Sequence, residues 1–167
     1  MPAKRISKSE NSEVYFLTFT VLRWYHLFNR YERWEILKDS LNYCTKNKNL
    51  EVIAYVFMIN HIHLIVESPD VAGFIRDFKK HTARELMKNI QKTEPHVAKL
   101  FYDKNDTFSI WQETNMPILV QTEAVLEQKV NYTEFNPVTK RYVMYPEYWY
   151  YSSANPQSPV KIVSRVL

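Results

Sequence analysis

The sequence has very little of the two residues from which ligand loops and small metal sites are most often built. In 167 residues there is one glycine, Gly73, and one cysteine, Cys44. A single glycine cannot form the glycine-rich loops that bind dinucleotides or nucleoside triphosphates. A single cysteine excludes an internal disulfide and a zinc site made of several cysteines. No stretch reaches the roughly 18 unbroken apolar residues of a membrane helix, so we expect no membrane partner.

The excess of positive over negative side chains is also modest. Lys and Arg total 22 against 18 Asp and Glu, which gives a net charge of +4. This permits a nucleic-acid partner without requiring one. Aromatic residues, in contrast, are abundant, with 9 Phe, 4 Trp and 12 Tyr. With one reduced cysteine and no signal-peptide pattern at the start, we expect a cytoplasmic protein.

The spacing of apolar residues predicts the element order βαββαβα. Strands are predicted at 14–22, 51–58, 59–67 and 117–120, and helices at 31–48, 71–90 and 123–135. Asp70 and Thr122 are the predicted N-caps of the last two helices. We expect residues 1–12 to be a flexible polar arm, 13–155 one domain, and 156–167 a C-terminal tail. The order favours an α+β, ferredoxin-like (RRM-like) sandwich: a four-stranded antiparallel sheet with helices on one face, plus a tyrosine-bearing helix.

The sharpest local pattern is His61-Ile62-His63 in the third predicted strand. Because side chains alternate across a strand, both histidines point to one side, with Cβ atoms roughly 6–7 Å apart. Two neutral imidazoles so placed can hold one divalent ion. The plainer interpretation is a pair of partly buried histidines hydrogen-bonded to neighbours. If oxygen atoms supply the other ligands, Mg²⁺ or Mn²⁺ is favoured.

A second pattern lies at the end of the last long predicted helix. Tyr132 and Asn136 are four residues apart and share a helical face, and Pro137 is expected to end or disturb that helix. The spacing fits a tyrosine nucleophile beside a metal ligand. It also fits an ordinary packed tyrosine, and by itself the pattern favours that second interpretation.

Five segments, taken in order, carry more information than any one of them. They are the His-containing run 57–66, the segment 75–83, Trp111-Gln112, the Tyr-x-x-x-Asn-Pro-Val run 132–138, and 146–154. Their order resembles that of the single-tyrosine HUH transposases, most closely the REP-associated tyrosine transposases of bacteria. The similarity spans roughly residues 14 to 155.

The resemblance implies an enzyme that cleaves and rejoins single-stranded DNA, at hairpin or repeat DNA, through a covalent 5′-phosphotyrosine. It implies that His61 and His63 hold a divalent metal, Mg²⁺ or Mn²⁺, with Asn136 as third ligand, and that Tyr132 is the nucleophile. It also implies association with the bacterial nucleoid when DNA is bound. Homodimers and monomers both occur in the family, so the oligomeric state stays open. The alternative is a catalytically silent single-stranded nucleic-acid-binding protein on the same fold.

Further DNA contacts are predicted from charge and aromatic character. The candidates are Arg76, Lys79, Lys80 and Arg84 on one helix, with Trp111 and Gln112 in the third segment. The basic residues could bind phosphates, and an exposed Trp111 or Tyr148 could stack on unpaired bases. An ordinary solvated helix face is an equal alternative for the basic residues.

Glu134 stands where the family usually has histidine. It could be a further ligand or a proton acceptor. We favour a solvent-facing residue, because an offset of two residues from Tyr132 lies on a different face of the helix.

Overall fold

The computed structural model describes residues 12–113 and 116–163. In chain order its elements are β1 (Glu13–Thr20), α1 (Arg33–Asn47), β2 (Glu51–Phe57), β3 (His61–Ser68), α2 (Val71–Thr93), α3 (Pro95–Ala98), β4 (Ile118–Leu119) and α4 (Glu123–Thr139). Short 3-10 turns occur at Leu22–Trp24, Lys99–Phe101 and Pro146–Tyr148. None of the described helices combines the length and the apolar character of a membrane span.

The strands form one antiparallel sheet with the order β2-β3-β1-β4. The hairpin of β2 and β3 is present, and β3 also pairs with β1, so that Thr18 lies opposite His63 and Thr20 opposite His61. The predicted α+β fold with a four-stranded antiparallel sheet is therefore confirmed.

Side chains of β3 divide between the two faces of the sheet as alternation requires. Ile62 and Leu64 belong to the larger hydrophobic cluster, which includes the buried residues of α1 and α2. Ile65 belongs to a smaller cluster with Phe16 of β1 and Leu126 of α4. Helices α1 and α2 thus cover one face, and α4 covers the other.

Two predicted N-caps are confirmed. The Asp70 carboxylate accepts a hydrogen bond from the Gly73 N–H (2.9 Å) at the start of α2, and the Thr122 hydroxyl accepts one from the Val125 N–H (3.2 Å) at the start of α4. A Cβ at Gly73 would overlap the Asp70 carboxylate, so another residue there would displace this cap. Both caps satisfy N–H groups that a helix cannot satisfy internally.

The predicted end of α4 at residue 135 is wrong, since the helix runs through Pro137 to Thr139. Proline removes its own N–H donor and crowds the carbonyl four residues earlier, and here both effects are confined to the end of the helix. Later donors close the helix normally: the Lys140 N–H bonds the Asn136 carbonyl (3.0 Å) and the Tyr142 N–H bonds the Pro137 carbonyl (2.9 Å). Asn136 therefore stays within the helix.

The structure describes only part of the predicted N-terminal arm and C-terminal tail, and the part that it describes is packed. Residues 1–11 of the expected arm and residues 164–167 of the expected tail lie outside the described residues, while Ser12 is buried. Val160 is buried in the larger cluster, and the Val163 N–H donates to the Val52 carbonyl (2.9 Å). The packed unit therefore continues past the predicted boundary at residue 155.

Candidate active site

His61 and His63 lie side by side at the start of β3, with ring centroids 4.9 Å apart. Each Nδ1 atom has a partner at 2.9 Å: Asn60 Oδ1 for His61 and Thr18 Oγ1 for His63. Each hydrogen bond occupies Nδ1 and orients its ring, so each Nε2 is the atom left to bind a ligand. The shared side predicted for the two histidines is confirmed.

Burial favours the neutral form of both imidazoles. Loss of solvation, together with the nearby charge of Lys140, lowers the pKa of His61 to about 4. Loss of solvation, together with His61 and Lys129, lowers the pKa of His63 to about 3. A metal binds the neutral imidazole, so no proton has to be removed from either ring at neutral pH.

Helix α4 brings the second predicted pattern to the same face of the sheet. The Tyr132 ring is edge-on to His63, with centroids 5.3 Å apart, and its side chain is 56% exposed. Asn136 lies one helical turn further on and is buried. Tyr132 is therefore open to solvent, whereas Asn136 is enclosed by the protein.

Two buried atoms of this group have no hydrogen-bond partner: His63 Nε2 and Asn136 Oδ1. Leaving a buried polar atom unsatisfied costs about 1–3 kcal/mol. Imidazole nitrogen and amide oxygen are both metal ligands, so the donor set fits a divalent ion. Within residues 12–113 and 116–163, no group of three or more His, Cys, Asp or Glu is placed to hold a metal. The two histidines therefore have no carboxylate or thiol placed as a third ligand among these residues.

The surroundings of His63 include residues that the sequence pattern did not identify as part of the site. The Phe16 ring stacks on His63 with centroids 5.4 Å apart, and the Lys129 ammonium lies 4.9 Å from the centre of that same Phe16 ring. Alternation places Phe16 and Thr18 on one face of β1. Only the β1–β3 register shows that they face His63.

The expectation of a solvent-facing Glu134 is wrong. Its side chain is half-buried, and the Ser153 hydroxyl donates to Glu134 Oε2 at 2.6 Å. Ser153 Oγ in turn accepts a hydrogen bond from the Tyr55 N–H (3.1 Å) of β2. Glu134 thus links α4 to the edge of the sheet.

The structure does not bring the basic residues of α2 to the histidines, because α2 covers the opposite face. Arg76 pairs with Asp77 at 2.9 Å, and the Lys79 ammonium donates to the Gln112 carbonyl at 2.7 Å. Lys80 and Arg84 are exposed. The four residues therefore lie away from the histidines.

The expectation of an exposed Trp111 is wrong. Its side chain is buried in the larger cluster, and its Nε1–H donates to the Thr82 hydroxyl at 2.9 Å. Gln112, next in the chain, donates its N–H to the carbonyl of Thr20 (2.8 Å), which is the strand partner of His61. Tyr148 is exposed as expected.

Comparisons with known proteins bear on the family and the fold of the chain. The family model described as "Transposase IS200 like" matches residues 12–118, a segment that contains both histidines. A solved structure of a REP-associated tyrosine transposase bound to a REP hairpin has a TM-score of 0.64 and 19% identity, and the alignment covers 92% of this chain and 82% of that one. A transposase candidate from Deinococcus radiodurans R1 has a TM-score of 0.51 and 19% identity, covering 77% of this chain and 94% of that one. A search of curated proteins found no match.

Proposed function

The chain belongs to the family of IS200-like transposases, and from this we propose a metal-dependent single-stranded DNA transposase that cleaves and rejoins DNA through a covalent 5′-phosphotyrosine. One observation carries the proposal: Tyr132 on α4 lies beside the buried pair His61 and His63, on one face of the sheet. Hairpin or repeat DNA is the proposed substrate, in keeping with the REP hairpin in the structural relative.

A divalent metal, Mg²⁺ or Mn²⁺, completes the proposed site. The Nε2 atoms of His61 and His63 and the Oδ1 atom of Asn136 would hold it. When bound, the ion supplies Lewis-acid stabilisation of the charge that develops on the scissile phosphate. The unpartnered His63 Nε2 and Asn136 Oδ1 support this ligand set.

In the proposed reaction the Tyr132 hydroxyl oxygen attacks the scissile phosphorus. Its proton passes to solvent, which the half-exposed side chain reaches directly. A bond forms between the tyrosine oxygen and the 5′-phosphate, and the bond to the 3′ oxygen breaks, which leaves a free 3′-OH. One phosphodiester replaces another, so a later 3′-OH can reverse the step without a nucleotide cofactor. The lack of any glycine-rich phosphate loop in the sequence is consistent with this chemistry.

Charged residues would hold the DNA backbone. Lys129 and Lys140, whose charges act on the histidines, are the proposed phosphate contacts at the site. The basic residues of α2 and Gln112 would contact DNA that extends around the edge of the domain. That set comprises Arg76, Lys79, Lys80, Arg84 and Gln112.

No second copy is needed to assemble the proposed site, because Tyr132 and the histidines meet within one chain. A homodimer remains a separate prediction. Light scattering with and without hairpin DNA would measure it.

The test is a covalent adduct. Incubation with single-stranded hairpin DNA and Mn²⁺ should give an SDS-resistant protein–DNA product that Tyr132→Phe abolishes. Tyr43→Phe is the matched control, because Tyr43 is similarly exposed on α1, on the other face of the sheet. Binding without an adduct to any hairpin, including DNA beside the protein's own gene, would identify a silent binding protein instead. An adduct that persists in Tyr132→Phe would overturn the nucleophile assignment.

A further inference from the structure

The loop after β1 contains two consecutive residues in a backbone conformation that normally favours glycine. Arg23 has φ 61° and Trp24 has φ 57°. The left-handed region is unfavourable for residues with a Cβ, and bulky side chains are rare there. Such strain persists only where the surrounding structure holds it, and it clusters at binding and catalytic sites.

Asn60 holds this loop against the active site. Its Nδ2 donates to the Trp24 carbonyl (3.0 Å), and its backbone carbonyl accepts from the Val21 N–H (2.9 Å). The Oδ1 atom of the same side chain is the partner of His61 Nδ1. One amide therefore fixes both the backbone of Trp24 and the ring of His61.

As a result the Trp24 indole stands in solvent beside His61. It is 59% exposed, and its ring centroid lies 6.4 Å from that of His61. Tryptophan is highly buried on average, so an indole held outward by strained backbone calls for a binding partner.

The indole forms one wall of a small cavity, which we call the Trp24 pocket. Its volume is about 150 Å³, and its walls include Trp24, Met58, His61, Lys140 and Tyr142. Pockets for drug-sized ligands measure about 300–1,000 Å³, so this one suits a single planar ring system. None of its described lining residues carries a carboxylate that would repel a phosphate.

We propose that the Trp24 pocket binds the base of one unpaired nucleotide next to the scissile phosphate. The base stacks on the Trp24 indole, and the exposed Lys140 contacts the phosphate of that nucleotide. The pocket shares His61 with the proposed catalytic site, so it is placed to set the position of the strand for attack. This assignment of the nucleotide rests on the proposed function.

The experiment is a double-mutant cycle between protein and DNA. The probe is a hairpin oligonucleotide with single-stranded flanks taken from the DNA beside the protein's own gene. Each flanking nucleotide is replaced in turn by an abasic residue. Binding is measured by fluorescence anisotropy in EDTA, in a Tyr132→Phe background, so that neither cleavage nor metal contributes.

Trp24→Ala should weaken binding of the intact probe by roughly 5- to 150-fold, the range for loss of one base–aromatic stack. One abasic position should weaken binding by a similar factor, and that factor should disappear in Trp24→Ala, because both changes remove the same contact. Trp24→Phe should retain part of the coupling. Tyr43→Ala is the control, since Tyr43 is also 59% exposed but lies on the far face.

The two proposals fail separately. If the adduct forms with the wild-type protein but no abasic position couples to Trp24, the pocket assignment is overturned and the proposed function stands. If coupling is present but no adduct forms, the Trp24 pocket binds a base, but the enzymatic function is overturned and with it the position of that base next to a scissile phosphate. Circular dichroism of each variant tests whether it is folded, so that weaker binding is not the result of a general loss of structure.

Discussion

One ring nitrogen of His63 is hydrogen-bonded to Thr18, and the other is buried without a hydrogen-bond partner. The amide oxygen of Asn136 is also buried without a hydrogen-bond partner. Buried polar atoms are nearly always satisfied in folded proteins, so exceptions require an explanation. A site shaped for a ligand explains both atoms, since natural sites often retain groups that do not favour stability by themselves.

At the residue scale, a metal titration should show whether His63 and Asn136 bind a metal ion. Mn²⁺ should raise the Tm of the wild-type protein, with about 2.7 kcal/mol of stabilisation at a metal concentration 100 times Kd. His63→Gln and Asn136→Ala should lose most of that shift. Asn131→Ala, an exposed position on the same helix, should keep it. An unchanged shift in Asn136→Ala would remove Asn136 from the ligand set.

The histidines should also make stability depend on pH. Their folded-state pKa values are about 4 and about 3, against 6.5 for a free imidazole. Below pH 6.5 the unfolded chain therefore binds more protons, and the free energy of unfolding should fall as pH decreases towards about 3.

Urea unfolding in EDTA would measure this dependence. His63→Gln should flatten the fall between pH 6.5 and 4, whereas Asn131→Ala, at an exposed residue without a titratable side chain, should leave it unchanged. Identical slopes for wild type and His63→Gln would contradict the assignment of a buried neutral ring.

Sequence pattern predicted individual residues well where local geometry determines them. Alternation placed His61 and His63 on one side, and capping chemistry identified Asp70 and Thr122. The exposure of Trp111 was mispredicted, because burial of an aromatic residue depends on long-range packing. The outward position of Trp24 has no sequence signal, since left-handed backbone usually appears as glycine or asparagine.

At the element scale, the position of α4 depends on a contact with the chain beyond it. Glu134 accepts a hydrogen bond from Ser153, which is itself bonded to the β2 backbone. The sequence could not reveal this link, because the two residues are brought together only by the path of the chain after α4. The predicted helix end before Pro137 is wrong for a related reason: the destabilisation that a proline causes depends on which turn of the helix it occupies.

Loss of this link should slow adduct formation. Glu134→Ala removes a hydrogen bond to a charged group, worth about 1.5–3 kcal/mol, and should lower the rate while amide hydrogen exchange in α4 rises. Glu134→Gln keeps an accepting oxygen and should recover most of the rate. Glu127→Ala, exposed on the same helix, is the control. Faster adduct formation or unchanged exchange in Glu134→Ala would contradict a positioning role.

At the scale of the whole molecule, the helices on the two faces of the sheet are packed against it with different strength. Helix α2 buries Phe74, Phe78, Leu86, Met87 and Ile90. The buried residues of α4 are Leu126, Thr133, Asn136 and Pro137, of which two are polar. Because burial of apolar surface is the main stabilising contribution, α4 should be the less strongly held layer.

Adduct-forming activity should therefore be lost at a lower urea concentration than the far-UV circular dichroism of the whole domain. Detachment of α4 removes Tyr132 from the histidines while the sheet and the α1–α2 layer persist. Coincident transitions for the two measurements would show instead that α4 unfolds together with the rest.

The left-handed backbone of Trp24 is one of several such cases. Seven described non-glycine residues have positive φ, among them Tyr31, Glu32 and Arg141. Glycine would relieve the steric conflict at each position but would also give the unfolded chain more conformations. For the backbone, these two effects of a glycine substitution oppose each other at each position. At Trp24, glycine would also remove the proposed stacking surface, so the effect of Trp24→Gly should appear in DNA binding.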